Sequence, residues 1–185
     1  HKLYRYQPSV EPLFDHSPDK VLAALTEGMA PADSGASSEV FSHAAPYRLN
    51  QPDLHTLATI TRAIHAQQAL SLTYLSLKKG PDPRIIVPHS LVDSGLRWHV
   101  RAFDRTKGHF RDLVLTRMED VAALDSEDTV PAQETMAADA QWNKLISITL
   151  LPHPKLPHPE VTAKDFGMQN GRLQVRLRGA VAGYV

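Results

Sequence analysis

Two hydrophobic periods divide the middle of the chain. From Pro52 to about Ala69, Leu54, Leu57, Ile60 and Ile64 recur at three- and four-residue spacing, which predicts a helix with one buried face. From Leu70 the period changes to two. In "LSLTYLSL", Leu70, Leu72, Tyr74 and Ser76 fall on one side of a strand, and Thr73, Leu75 and Leu77 on the other. "KKGPDP" reads as a turn, "RIIVPHSLV" as a β-branched strand with Pro88 at an edge or bend, and "DSG" as a tight turn into "LRWHVRAF". "DRTKGH" then leads into "FRDLVLTRMEDVAAL". Five short, evenly spaced strands after a helix predict a small antiparallel barrel.

The flanks follow other patterns. "YRYQPSVEPLF" has prolines and aromatics that oppose a helix. "SPDKVLAALTEG" then predicts one, with Ser17 as cap, Pro18 at the first helical position, Gly28 as stop and Val21, Leu22 and Leu25 as its stripe. "MAPADSGASSEVFSHAAP" reads as a loop. Behind the barrel, "VPAQETMAADAQWNKL" predicts a helix opened by Pro131, and "ISITLLP" a strand. "HPKLPHPEVTAKDFGM" reads as mostly irregular, and "GRLQVRLR" as a strand after a glycine turn. The expected organisation is mixed α+β: a linker and helix over residues 1–49, a helix plus barrel over 50–128, and a small α+β extension over 129–185, cut short at its end.

Composition narrows the classes. No run of about 18 apolar residues supports a membrane span, and the first residues have no apolar signal-peptide core. With no cysteine, disulfides and thiolate chemistry are excluded, which fits a cytoplasmic location. The net charge of zero conceals an asymmetry, because residues 71–117 hold nine Lys/Arg against four Asp. That local excess suggests an anion site.

The strand 98–104 sharpens the suggestion. One face would carry Trp98, Val100 and Ala102, a core set; the other would carry Arg97, His99, Arg101 and Phe103. In "FRDLVLTR", Arg111, Leu113, Leu115 and Arg117 share a face; Arg84 and Pro88 share another, with His89 opposite unless Pro88 shifts the alternation. Arginine suits a planar, bidentate grip on phosphate or carboxylate. Converging arginines are costly without an anion. Two explanations stay open: a pocket for an anionic ligand, or arginines solvated or paired with acids such as Asp104 and Asp112.

Other chemistry is less supported. His153 and His158 have zinc-like spacing, but prolines hold them extended and no third ligand is evident, so neither metal nor cofactor is expected. Ser76 and Ser90 lack a nucleophile elbow. An RNA-cleaving surface using His89 and His99 as acid and base, or a pure oligomerisation module, are the alternatives to a binding role.

The stretch "RIIVPHSLVDSGLRWHVRAFDRTKGHFRDLVLTRMEDV" resembles a WYL domain, with "WHV" at the Trp-Tyr-Leu tripeptide. Tyr74, Arg84, Pro88, Trp98, Arg111 and Arg117 stand in the family's order, while His99 and Val100 depart from the tripeptide. The form is similar to WYL transcriptional regulators found beside BREX- and CBASS-type anti-phage operons. More weakly, "RYQP" resembles the linker after a winged helix-turn-helix, and "DFGMQNGRLQVRLRGAVAGY" the C-terminal extension of such regulators. The resemblance implies an Sm-like, SH3-type small barrel that senses a nucleotide or oligonucleotide effector and does not act as an enzyme. It implies a homodimeric repressor away from membranes, reaching operator DNA through a winged helix-turn-helix ahead of His1. The family's ligand surface maps to Tyr74, Ser76, Arg84, His89, His99, Arg101, Arg111 and Arg117, with Arg97 a weaker inclusion. Trp98 is assigned to the core and Phe103 to the barrel rim.

Overall fold

The computed structural model describes residues 50–124 and 129–185. The expected N-terminal helix with its Ser17 cap, and the loop after it, lie outside the described residues. Helix α1 spans Leu54–Ala66. The Asp53 side chain accepts a hydrogen bond from Thr56 N at 2.9 Å and starts it. Gln67, at φ 52°, ends it before the expected Ala69. Its buried face is Thr56, Ile60 and Ala63, with Leu57 and Ile64 packed at the side; Leu54 is exposed. The stripe is therefore rotated from the leucine spacing toward smaller residues.

Five antiparallel strands follow: β1 (Leu70–Ser76), β2 (Gly80–Asp93), β3 (Trp98–Asp104), β4 (His109–Val114) and β5 (Met118–Ala123), in the order β4-β3-β2-β1-β5. Gly80 already pairs with Ser76, so β2 begins inside the predicted turn. Gly80 reverses the chain at φ 71°, and Ser76 Oγ accepts from the Lys78 and Lys79 amides at 3.3 and 3.4 Å. Strand β2 serves two neighbours, pairing β1 from Gly80 to Ile86 and β3 from Ile86 to Asp93.

The expected barrel is not closed. Among the described residues no ladder joins edge strands β4 and β5; a single 3₁₀ turn, Leu115–Arg117, links them. The sheet nevertheless curls, since the Tyr74 hydroxyl on β1 accepts from Val114 N at the end of β4, at 3.3 Å. Leu70, Leu72, Ile86, Val100, Ala102, Leu113 and Leu115 fill the concave side with Ile60 of α1.

Two bulges break the ladders. Pro88 faces Ala102 and Ser90 faces Arg101, so His89 is the extra residue on β2. Strand β5 carries the other beside Asp120, at φ 53°.

The segment after Pro131 is not one helix. It forms 3₁₀ turns at Ala132–Glu134 and Met136–Ala138, then the short helix α2 (Ala140–Asn143). Thr135 and Asp139 are extended and break it, because Asp139 turns its carboxylate onto the α2 amides and the sheet. Strands β6 (Leu145–Leu150) and β7 (Leu173–Arg178) form a hairpin. Between them lies α3 (Pro159–Asp165), in a stretch expected to be irregular. Pro159 at its start, Glu160 in its first turn and Lys164 in its last provide the helix signals. Ile146, Ile148 and Leu150 oppose Leu177, Val175 and Leu173, giving the hairpin one apolar face. A 3₁₀ stretch, Gly179–Tyr184, follows.

Candidate functional site: two faces of one sheet

Cross-strand partners share a face, so the register sorts the candidate residues. Leu72 opposes Arg84, Tyr74 opposes Asp82, Ile86 opposes Asp104 and Ala102 opposes Arg111. Tyr74, Ser76, Arg84 and Arg111 therefore stand on the concave, core-bearing face. His99 opposes Val92 and Val114, and Arg101 opposes Ser90 and Asp112, on the convex face. The eight candidates do not line one surface.

On the concave face three cations share two carboxylates. Arg84 is buried and donates through Nη1 to Asp104 and through Nη2 to Asp82 at 2.8 Å, with its guanidinium 5.5 Å from the Tyr74 ring centroid. Arg111 Nη1 lies 3.6 Å from the same fully buried Asp104, and Lys107 Nζ 3.6 Å from Asp82. Among the buried side-chain atoms of the described residues on this face, Nε of Arg84 and of Arg111 have no hydrogen-bond partner. Ser76 is occupied with its turn.

The convex face is covered where Arg101 emerges. Arg101 makes a two-point grip on Asp139, Nε to Oδ2 at 2.7 Å and Nη2 to Oδ1 at 3.1 Å, and reaches Asp112 Oδ1 through Nη1 at 3.2 Å. Burial works against the Arg101 charge, but Asp139 and Asp112 outweigh it and hold the proton more tightly than usual. Burial likewise pushes the Asp139 carboxyl up. Donation from Arg101 and from the Trp142 amide outweighs that and carries it below the ordinary carboxylate value.

The bulge aims His89 at the same acid, with Nε2 3.3 Å from Asp139 Oδ2 and Nδ1 2.9 Å from Ser90 Oγ. Phe110 and Trp142 pack edge-on to the imidazole, at 5.7 and 5.5 Å between centroids. Burial lowers its pKa below the ordinary histidine value, against Asp139. Phe103 packs on Phe110, at 5.1 Å. Arg101 and His89 thus tie the sheet to the segment after Pro131.

Beside this lock lies His99. His99 is buried, and its Nδ1 has no hydrogen-bond partner. The Tyr184 ring stacks on it at 5.1 Å and 26°, and the Tyr184 hydroxyl donates to Asp112 Oδ2 at 2.7 Å. Burial, then the bond to Asp112, raises the phenol well above its ordinary value. Burial lowers the His99 pKa; the charges of Arg97 and Arg117 lower it further, while Asp112 and the Val92 backbone oppose them. Arg97 and Arg117 are half-buried and make no ion pair among the described residues. Chemically, the convex face offers an aromatic stacking position, an unsatisfied ring nitrogen and two uncommitted guanidiniums.

Trp98 packs against the core as expected. No group of three or more His, Cys, Asp or Glu that could hold a metal ion occurs among the described residues. His153 Nδ1 accepts from Lys155 N, and His158 Nδ1 lies 3.1 Å from Glu160. No helix among the described residues is long and apolar enough to cross a membrane.

Two known families match separate stretches of the chain. Residues 55–123 match the WYL domain, and residues 145–185 match the C-terminal dimerization domain of the BrxR transcriptional regulator. The chain is thus a WYL-domain protein carrying a BrxR-type dimerization domain. It is homologous to the DNA-binding transcriptional repressor CapW. It is 32% identical over 148 residues to CapW of Escherichia coli strain KTE188, covering 77% of this chain and 47% of that protein. CapW of Stenotrophomonas maltophilia is 33% identical over 132 residues, 69% of this chain and 42% of the relative. CapW of Pseudomonas aeruginosa is 34% identical over 135 residues, 70% and 42%. The chain spans about half the length of these relatives. Among solved structures, the proteasome accessory factor PafBC of Arthrobacter aurescens aligns with 87% of this chain and 29% of its own, at 18% identity and a TM-score of 0.39.

Proposed function

We propose that this chain is the effector-sensing and dimerising part of a homodimeric bacterial transcriptional repressor. The observation that carries the sensing role is the convex patch at His99, a buried ring with an unpartnered nitrogen in an aromatic stack, on which the charges of Arg97 and Arg117 act; neither arginine has an acidic partner among the described residues. The effector is an oligonucleotide or nucleotide: its base stacks at His99 and its phosphates meet Arg97 and Arg117. Arg101 and His89 position that face rather than contact the effector, since Asp139 already occupies them. Tyr74, Ser76, Arg84 and Arg111, on the opposite face, support the sheet.

Dimerisation is supported by residues 145–185, whose apolar face of Ile146, Ile148, Val175 and Leu177 stays half-buried, with Leu145, Leu151, Val161 and Phe166 exposed nearby. DNA binding and transcriptional repression are what the relative CapW is named for. The sensing role is tested by fluorescence anisotropy of short labelled single-stranded RNA and DNA at low and moderate salt. Binding that weakens with salt is expected. Absence of binding at low salt refutes an oligonucleotide effector.

A further inference from the structure

Tyr184 makes two directed contacts for a residue 39% exposed: its ring covers His99, and its hydroxyl donates to Asp112. The His99 ring it covers is buried and carries a nitrogen, Nδ1, with no hydrogen-bond partner, and the charges of Arg97 and Arg117 act on that ring. A buried, unsatisfied nitrogen is costly, and the ring stacked on His99 gives it no hydrogen bond. The stacking position is thus filled by the protein's own aromatic side chain, while His99 Nδ1 stays unpartnered.

We propose that Tyr184 is a built-in occupant of the effector face, displaced when a nucleobase carried on phosphate stacks on His99. This rests on the reading of that face as the effector site and adds how occupancy is transmitted. Tyr184 ends the 3₁₀ stretch Gly179–Tyr184, which lies inside the matched dimerization domain. Gly179 N donates to Lys144 O at 2.7 Å, just past α2, and α2 is capped by the same Asp139 that grips Arg101. Releasing Tyr184 therefore frees the stretch that joins the sensing face to the dimerising hairpin. The competition lowers the effector's apparent affinity by the fraction of molecules in which the ring is docked.

The test compares wild type, Tyr184→Ala and Tyr184→Phe, with labelled single-stranded RNA and DNA as probes. Circular dichroism melts verify folding. Removing the ring is expected to tighten binding about tenfold, and Tyr184→Phe, which keeps the stack and loses the Asp112 bond, to fall between. In wild type, hydrogen exchange of residues 179–185 is expected to speed up on adding the oligonucleotide, while β3 becomes protected. Weaker binding by Tyr184→Ala makes Tyr184 part of the binding platform and overturns the proposal, as does unchanged affinity. Wild-type binding with unchanged Tyr184→Ala refutes the occupant alone. No binding by either protein refutes the effector face as well. Should Tyr184→Ala fail to fold, the Tyr184→Phe affinity and the exchange measurement decide.

Discussion

Replacing Asp139 by asparagine isolates the charge that locks the C-terminal segment onto the sheet. The Asp139 side chain is 2% exposed and accepts from Arg101 twice, from Trp142 N at 3.1 Å and from His89 at 3.3 Å. Asparagine caps helices about as well as aspartate, so the α2 cap survives and the loss falls on the ion pair. Removing one partner of a buried pair costs roughly 3–5 kcal/mol. Asp112 still reaches Arg101, at 3.2 Å, so the lower end applies, about 3 kcal/mol.

For a chain of this length each kcal/mol moves Tm by about 2–4 °C, giving a drop of roughly 6–12 °C. The assay is urea and thermal denaturation of wild type, Asp139→Asn, Arg101→Met and the double variant, read as a cycle. A comparison pair, Arg105 with Glu134, has its arginine side chain one-third exposed. Glu134→Gln is therefore expected to cost no more than about 1 kcal/mol. A loss below about 1 kcal/mol for Asp139→Asn, with no coupling to Arg101, would refute the account of this lock.

The pH dependence follows from depressed pKa values. His89 and His99 titrate lower folded than unfolded, so their contribution is complete above about pH 6.5 and is lost as pH falls through the folded values. Denaturation midpoints should decline from pH 7 to 5, less steeply in His89→Gln. Asp139 acts in a lower window: its contribution holds above about pH 4 and fades as pH falls through its depressed folded value, so Asp139→Asn should remove part of the acid sensitivity seen there. Placing a charge on the hairpin, as in Val175→Asp, should convert a dimer to monomer in sedimentation equilibrium with the WYL sheet still folded; an unchanged dimer would move the interface elsewhere. Arg101→Glu puts two buried acids against a third and should lose the fold rather than selectively lose binding, which a melt will distinguish.

Much of the fold was legible because its patterns are local. The three- and four-residue spacing marked α1, alternation marked β1 and β3, and "ISITLLP" and "GRLQVRLR" marked β6 and β7 as strands, though not as a pair. Closure was not legible, because it depends on how edge strands meet rather than on strand count. The bulge at His89 leaves no periodic trace; Pro88 before it was the only hint. His99, Arg101 and Phe103 share one side of β3, with Arg97 just ahead of the strand, but Asp139 lies 38 residues from Arg101, and Tyr184 lies 72 from Asp112. Such contacts come from tertiary packing, which short-range pattern does not encode. A signal for Asp139 was available: it stands where a helix cap belongs, ahead of "AQWN". Pairing with Asp104 and Asp112, one of two explanations open at the start, accounts for Arg84, Arg111 and Arg101. It leaves Arg97 and Arg117 unexplained.

Matched charge reversals on the two faces test the central claim most directly. Arg117→Glu alters the convex patch beside His99, and Lys107→Glu alters the concave side beside Asp82. With both variants shown to be folded, oligonucleotide anisotropy across a salt series is expected to show binding weakened and the salt slope reduced by about one for Arg117→Glu, with Lys107→Glu close to wild type. Binding lost in Lys107→Glu and kept in Arg117→Glu would place the effector on the Arg84 face and contradict the account.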